Sequence, residues 1–270
     1  MLPELIATDV DGTLLDHGEN ITPRTRAAVH AAVAAGTQFV LATGRPPRWI
    51  PPVVEALGLA PISVCANGAV LYDAATDRII RAHTLSPDQL AELAEVAARV
   101  IPGVGLAVER VGRSAFDESV PQFASSPGYE HAWHNPDNTE VPLEEMLSLP
   151  AVKLLIRKAG ATSAEMAAAL APHIGLEGDL TYSTNNGLIE VVPIGISKAT
   201  GISEVAAPLA VDAGDVVAFG DMPNDIPMLR WAGLGVAMGN AHPEAAAAAD
   251  EVTAHNSDDG VARVLERWWL

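Results

Sequence analysis

The chain has 270 residues, of which 49% are hydrophobic and 19% are charged, so it can bury the core of one large domain or two smaller ones. Its 16 basic and 34 acidic residues give a formal net charge of −18, and we expect so acidic a chain to repel nucleic acid and anionic membrane surfaces. A phosphate-bearing substrate would therefore need positive charge supplied locally at its site.

Cysteine content and the N-terminus bear on the compartment. The single cysteine, Cys65, precludes an internal disulfide and is typical of a reducing compartment. The sequence has no apolar run of membrane-spanning length, and its first residues lack the basic flank of a signal peptide. We therefore expect a soluble cytoplasmic protein with no membrane partner; the oligomeric state is not predicted.

The first part of the chain alternates strands with helices. Apolar runs typical of buried strands lie at 5–8, 37–43 and 62–67, and helix signals lie between them at 22–36 and 51–58. The short links predict right-handed crossovers and a parallel, Rossmann-like sheet. Ligands of such sheets bind at the carboxyl ends of the strands, where Asp9, Thr43 and Asn67 are expected.

The middle of the chain has a different pattern, which predicts an inserted α/β module at 84–188. A hairpin is expected at 69–85, leading into this module. Within the module the expected elements are a helix from Ser86 to about Val100, strands within 104–111 and 151–159, an irregular stretch at 117–150, a helix capped by Thr162 or Ser163, and a hairpin turning at Asn186-Gly187. The alternating pattern resumes at about 189 and ends in a helix reaching Leu270.

Two acidic clusters follow apolar strands that lie about 210 residues apart in the sequence. Asp9 and Asp11 follow the first strand, and Asp221, Asn224 and Asp225 follow the run 216–220. Converging carboxylates repel one another unless a hard cation with oxygen ligands lies between them. The clusters therefore predict a Mg²⁺ site.

Groups that suit a phosphate are also present. Thr43 and Gly44 offer a hydroxyl and backbone N–H groups, and Lys198 opens a predicted helix and offers an ammonium. A carboxylate beside Mg²⁺ can attack phosphorus, and Asp11, if the chain bends at Gly12, can act as general acid and then as general base. These residues predict phosphoryl transfer through an aspartyl-phosphate.

The segments "DVDGTLLD", "ATGRP", "ISKATG" and "GDMPNDIPML", in this order, resemble the four motifs of the haloacid dehalogenase-like phosphatases. The chain is most similar to the Cof-type hydrolases, in which a large α/β cap is inserted between the second and third motifs. The resemblance implies a catalytic core formed by 1–83 and 189–270 and a cap formed by 84–188. One departure is visible, since Ala199-Thr200 stand where many relatives have glycine after the lysine.

The resemblance also implies residue roles. Asp9 would be the nucleophile and Asp11 the acid/base. Thr43, Gly44, Lys198 and Asn224 would bind phosphate. Mg²⁺ would be held by the Asp9 carboxylate, the Asp11 main-chain carbonyl and Asp221, with Asp225 also at the metal.

Several alternatives stay open. Arg45 either touches substrate or forms a structural salt bridge, and Asn67 either contacts phosphate or shapes the turn with Gly68. The expected function is a Mg²⁺-dependent phosphatase of small phosphorylated metabolites, sugar phosphates first, with a flavin nucleotide or pyridoxal phosphate as other substrates. A phosphomutase on the same scaffold and a non-catalytic, phosphorylatable signalling module are the alternatives.

Overall fold

The structure is a computed structural model that describes residues 2–133 and 135–269, so Leu270, the predicted end of the last helix, lies outside the described residues. These residues form two compact units. The first unit combines the chain up to Asp77 with the chain from Ser197 onward, and the second unit is Arg78–Ile196. The segment predicted to be a cap, 84–188, lies within the second unit.

The elements alternate along the chain much as the sequence predicts. The strands are β1 (Leu5–Thr8), β2 (Gln38–Ala42), β3 (Ile62–Cys65), β4 (Val70–Asp73), β5 (Arg78–Ala82), β6 (Gly105–Glu109), β7 (Phe123–Ser125), β8 (Asn138–Glu140), β9 (Lys153–Arg157), β10 (Asp179–Thr181), β11 (Leu188–Val192), β12 (Val216–Gly220), β13 (Leu234–Ala237) and β14 (Glu251–Val252). The helices are α1 (Pro23–Ala34), α2 (Pro51–Leu57), α3 (Pro87–Val100), α4 (Leu143–Leu147), α5 (Ser163–Ile174), α6 (Lys198–Ala206), α7 (Ile226–Trp231), α8 (Pro243–Ala248) and α9 (Gly260–Trp269). Among the described residues, no helix combines the length and the apolar character needed to cross a membrane.

The first unit is built on a mostly parallel sheet with the strand order β14-β13-β12-β1-β2-β3-β4. Strands β14 to β3 run parallel to one another, and β4 is antiparallel to β3. The central strands β1, β2, β3 and β12 consist mostly of buried apolar residues, as in a parallel sheet that is covered on both faces. The predicted α/β fold with a parallel-sheet core is confirmed.

Register places the acidic clusters at one edge of this sheet. Thr8, the last residue of β1, pairs with Phe219 of β12 and with Leu41 of β2. The residues that follow each strand therefore emerge side by side, and these are Asp9, Asp221 and Thr43.

Local signals explain where the helices of the first unit begin and end. Thr22 caps α1 by accepting a hydrogen bond from the Thr25 backbone N–H, and Pro23 occupies the first turn. Gly58, at a φ of 71°, ends α2 in the left-handed conformation that glycine adopts readily. Ser197 and Thr200 form a capping box at the start of α6. The Thr200 side chain thus helps to fix the helix start that carries Lys198.

The second unit is an α/β module with its own sheet, in the order β10-β11-β9-β6-β7-β8. One face of this sheet packs against α3 and α5 through Leu106, Leu154, Ile156, Ile189 and Val191. The helices begin with the capping boxes of Ser86 and Thr162. The unit therefore has its own hydrophobic core.

Two details of this unit differ from the sequence predictions. The stretch 117–150, expected to be irregular, contains β7, β8 and α4. Their three- to five-residue lengths are too short to give a periodic pattern. The hairpin expected to turn at Asn186-Gly187 instead has a loop over 182–187 between β10 and β11.

Candidate active site

The first acidic pair lies in a tight turn after β1. Asp9 is extended and its N–H donates to the Phe219 carbonyl at 2.9 Å, which fixes the Asp9 backbone to β12. The chain reverses at Gly12, whose φ is 78°, and a Cβ at this position would overlap the Asp221 carboxylate. Glycine therefore lets the turn pass closely over the second acidic cluster. Asp9 is buried, whereas the Asp11 side chain is 56% exposed.

Lys198 joins the two clusters. Its Nζ donates to Asp9 Oδ1 at 2.5 Å and to Asp225 Oδ1 at 2.6 Å, and its side chain has no exposed surface. Burial disfavours the charged lysine, but the neighbouring Asp225 and Asp9 carboxylates outweigh burial and raise the Lys198 pKa. The ammonium is therefore held protonated at the end of β1.

Asp225 is a structural centre of the second cluster. Its Oδ2 accepts the backbone N–H groups of Asp221 and Met222, each at 2.9 Å, while Oδ1 accepts from Lys198. This set of donors shapes the turn after β12 and orients the lysine at the same time. Asp225 is fully buried, so its carboxylate is shielded from water.

A cation fits among the carboxylates. Asp9, Asp221 and Asp225 each have an oxygen within 4.8 Å of the others' oxygens. Burial first, and then the nearby carboxylates, raise the Asp9 pKa well above its ordinary value, even though Lys198 lowers it. Burial and the Asp225 charge raise the Asp221 pKa to about 7. This electrostatic strain is the kind that a divalent cation with oxygen ligands relieves.

Thr43 and Gly44 follow β2. Thr43 is fully buried, and its Oγ1 accepts the Arg45 backbone N–H at 3.0 Å, which leaves the hydroxyl hydrogen as a donor. Gly44 lies against the Asn67 side chain, since a Cβ there would come within 3.1 Å of Asn67 Oδ1. The loop after β2 thus presents donors beside the second cluster.

Arg45 forms a salt bridge with Asp11. Its Nε lies 2.9 Å from Asp11 Oδ2, and its Nη2 lies 2.5 Å from Asp11 Oδ1. Burial lowers the Arg45 pKa, but the hydrogen bond and charge of Asp11 outweigh burial, and the pKa is raised. The salt bridge left open by the sequence is therefore present, and it involves the predicted acid/base.

Asn67 and Asn224 contact each other across the sheet edge. Asn224 Nδ2 donates to Asn67 Oδ1 at 3.0 Å, and both side chains are buried. Contacts join the predicted site residues in two sets. The first set is Asp9, Lys198, Asp221 and Asp225. The second set is Asp11, Thr43, Gly44, Arg45, Asn67 and Asn224, and it meets the first in the sequence at Asn224 and Asp225.

Two further residues contact the site and were not predicted from the sequence. Thr13 Oγ1 donates to Asp221 Oδ1 at 3.1 Å, and Asn240 Nδ2 donates to the Gly12 carbonyl at 2.8 Å. Thr13 stands in the first motif and could have been found there. Asn240 follows β13, where the sequence has no acidic or glycine-rich signal, so only the sheet order reveals it.

Comparisons with known proteins agree with this geometry. The model of the haloacid dehalogenase-like hydrolases matches residues 6–265. The Bacillus subtilis 5-amino-6-(5-phospho-D-ribitylamino)uracil phosphatase YcsE is 29% identical over 275 residues, covering 99% of this chain and 96% of that protein. The Escherichia coli pyridoxal phosphate phosphatase YbhA is 27% identical over 280 residues, with 98% of each chain covered. The solved structure of the subclass IIB sugar phosphatase BT4131 has a TM-score of 0.80 at 23% identity, with 98% of each chain covered.

A parallel sheet with acidic clusters and a buried lysine at its carboxyl edge, together with an inserted α/β unit, defines a haloacid dehalogenase-type fold. The chain belongs to the haloacid dehalogenase-like hydrolases, in the Cof-type branch. It is an enzyme of the phosphoric monoester hydrolase class. The non-catalytic signalling module is therefore not retained.

Proposed function

We propose that this chain is a Mg²⁺-dependent phosphatase of small phosphorylated metabolites that works through an aspartyl-phosphate on Asp9. The observation that carries the proposal is the buried contact of Lys198 with Asp9 and Asp225. A carboxylate held against an ammonium, with further donors beside it, suits a nucleophile that approaches an anionic phosphoryl group.

In the proposed mechanism, the chain's own residues have the following roles. An Asp9 carboxylate oxygen forms a bond to phosphorus while the bond from phosphorus to the ester oxygen breaks, and the leaving oxygen takes a proton from the Asp11 carboxyl. The Asp11 carboxylate then takes a proton from water as the water oxygen bonds to phosphorus, and the phosphorus–Asp9 bond breaks. Lys198, the Thr43 hydroxyl and the Gly44 backbone stabilise the phosphoryl oxygens.

Asp9, the Asp11 carbonyl and Asp221 would hold Mg²⁺, which neutralises negative charge between the carboxylates and the phosphoryl group when bound. Both oxygens of Asp225 already accept hydrogen bonds from Lys198 and the backbone. We therefore propose that Asp225 acts at the metal mainly by placing Lys198 and the loop that carries Asp221.

The proposed substrate is a polyhydroxylated phosphoester, and a sugar phosphate is the favoured candidate. YcsE, with a ribityl chain in its named substrate, supports this class, and YbhA supports pyridoxal phosphate as the alternative. We propose that the inserted unit 84–188 acts as a cap and selects the substrate. The cytoplasmic location and the exclusion of nucleic acid stay predictions from the composition.

The test is Asp9→Asn, which keeps the shape of the side chain but removes the nucleophile. We expect the folded variant to lose p-nitrophenyl phosphate hydrolysis, and wild type to lose it in EDTA and to regain it with Mg²⁺. Undiminished phosphate release by the variant would refute the proposal. A hexose 1-phosphate distinguishes the mutase alternative, since a phosphatase yields free phosphate and a mutase yields the 6-phosphate.

A further inference from the structure

The backbone of the loop between β3 and β4 has positive φ values at three successive residues. Ala66, Asn67 and Gly68 all have positive φ values, of 49°, 57° and 103°. Asparagine tolerates the left-handed conformation better than most residues, but alanine is unfavourable there. Such strain persists only where the surroundings hold the backbone, and it is concentrated at functional sites.

Contacts with two site elements hold this loop. The Ala66 N–H donates to the Arg45 carbonyl and the Asn67 N–H donates to the Thr43 carbonyl, each at 3.0 Å. On the other side, a Cβ at Gly68 would overlap the Ser197 carbonyl oxygen, so only glycine permits the close packing against the start of α6. The loop therefore ties the segment of Thr43 to the helix that carries Lys198.

The Asn67 side chain extends the same arrangement to Asn224. Asn67 is 2% exposed and Asn224 is 5% exposed, and the Asn224 Nδ2 donates to Asn67 Oδ1. The reversed amide would place one Oδ1 against the other, so Asn67 fixes the orientation of the Asn224 amide. Asn224 Oδ1 then has no hydrogen-bond partner among the described residues. A buried acceptor without a donor is costly, which indicates that a ligand supplies the donor.

We propose that Asn67 is a positioning residue that aims Asn224 Oδ1 at an O–H donor of the bound phosphoester or of the water that hydrolyses the phosphoenzyme. This inference rests on the proposed function and deepens it. It replaces the two readings left open by the sequence, since Asn67 acts through Asn224 rather than by touching substrate or by shaping the turn alone. The second Nδ2 hydrogen of Asn224 remains for a phosphoryl oxygen.

A double-mutant cycle tests this role. Asn67→Gly keeps the left-handed conformation and removes the acceptor, and Asn224→Ala removes the group that Asn67 orients. With Mg²⁺ and a sugar phosphate that the enzyme hydrolyses, which carries hydroxyl donors, we expect Asn67→Gly to lower kcat/KM or kcat about tenfold in the otherwise wild-type enzyme. A loss in kcat/KM assigns the donor to the substrate, and a loss in kcat alone assigns it to the water. In the Asn224→Ala background we expect less than about a twofold further loss, because interacting residues are not additive.

Controls separate this role from a structural one. Ala210→Gly likewise puts glycine at a left-handed position, with φ 55°, but at an exposed one. We expect this variant to leave kcat/KM unchanged. Equal losses from Asn67→Gly in both backgrounds, or no loss in wild type, would overturn the proposal. If Asp9→Asn abolishes activity while the cycle is additive, this inference fails and the proposed function stands; activity in Asp9→Asn would instead remove the proposed function itself.

Discussion

Arg45 and Asp11 form a bidentate salt bridge. Arg45 Nε lies 2.9 Å from Asp11 Oδ2, and Arg45 Nη2 lies 2.5 Å from Asp11 Oδ1. The Asp11 side chain is 56% exposed, and ion pairs this exposed contribute little to stability. The pair is therefore more important for orientation than for folding. It holds the carboxylate of the proposed acid/base in one rotamer on a turn that would otherwise leave it free.

Arg45→Lys should separate orientation from charge. Lysine retains the positive charge but cannot reproduce the planar fork, so Asp11 becomes less well oriented. We expect kcat to fall by roughly threefold to tenfold, while the midpoint of thermal unfolding shifts by no more than about 2 °C. Steady-state kinetics and a thermal melt measure the two quantities. An unchanged kcat would show that the pair has no part in the reaction.

Asp11→Asn tests the acid/base role through the leaving group. An alkoxide needs a proton as it departs, whereas p-nitrophenolate is stable without one. For a sugar phosphate, we expect kcat to fall by about 100-fold or more. For p-nitrophenyl phosphate, we expect a clearly smaller fall in the rate of the first step, in which the phosphoenzyme forms and the leaving group departs. Single-turnover measurements of both substrates give the comparison. Equal first-step losses for the two substrates would argue against proton donation by Asp11.

Lys198→Met tests the buried contacts of Lys198 with Asp9 and Asp225. The substitution leaves the Asp9 and Asp225 carboxylates buried without their ammonium, which should lower the free energy of unfolding by about 3–5 kcal/mol and abolish activity. Adding Asp225→Asn removes one of the two charges and should recover part of the stability but none of the activity. Denaturant unfolding and phosphate release measure these effects.

The control for this lysine is Lys158→Met. Lys158 lies in the second unit and donates to the Pro102 carbonyl through an exposed bond. We expect a change in stability within about 0.5 kcal/mol, as for most surface substitutions. A loss as large as that of Lys198→Met would mean that lysine removal itself, rather than the unpaired carboxylates, is responsible.

Most of the first unit could be predicted because its signals are local. The buried strand β1 begins with the apolar run Leu5, Ile6 and Ala7, and Thr22 with Pro23 marks a helix start in the sequence itself. Parallel pairing then brings the residues after each strand together without any further information. The sequence thus predicts that Asp9, Thr43 and Asp221 lie at one edge of the sheet, and the strand register places them there.

The rest depends on contacts between residues far apart in the chain. Arg45 with Asp11 and Asn224 with Asn67 are separated by 34 and 157 positions, and their side-chain geometry leaves no trace in periodicity or composition. Short elements such as β8, with three residues, form because neighbouring strands pair with them. The Asn240 contact with Gly12 likewise exists only because β13 lies beside β12.

The second unit contains a buried ion pair that predicts a stability effect of its own. Lys153 on β9 contacts Glu190 on β11, and both side chains are less than 5% exposed. Lys153→Met removes the buried ammonium that contacts the Glu190 carboxylate, so we expect a loss of about 3–5 kcal/mol in the free energy of unfolding. Lys153→Met combined with Glu190→Leu should be less destabilised than Lys153→Met alone. Chemical denaturation measures the free energy of unfolding of the single and the double variant. A double variant that is less stable than Lys153→Met would contradict this account.

Asp221 predicts how stability depends on pH when the metal is removed. Its pKa is raised from 3.8 to about 7 by burial and by Asp225, so between these values the folded protein keeps a proton that the unfolded chain has lost. Because the folded state binds more protons, this group makes stability fall as pH rises from about 4 to about 7, and its cost is constant above that range. Asp221→Asn removes the group, so the stability of the variant relative to wild type should rise across this window, by on the order of 4 kcal/mol, and level off above it. Denaturant unfolding of both proteins in EDTA at a series of pH values measures the difference. A difference that does not change with pH would show that Asp221 is charged throughout, and that the repulsion in this cluster is carried by its neighbours.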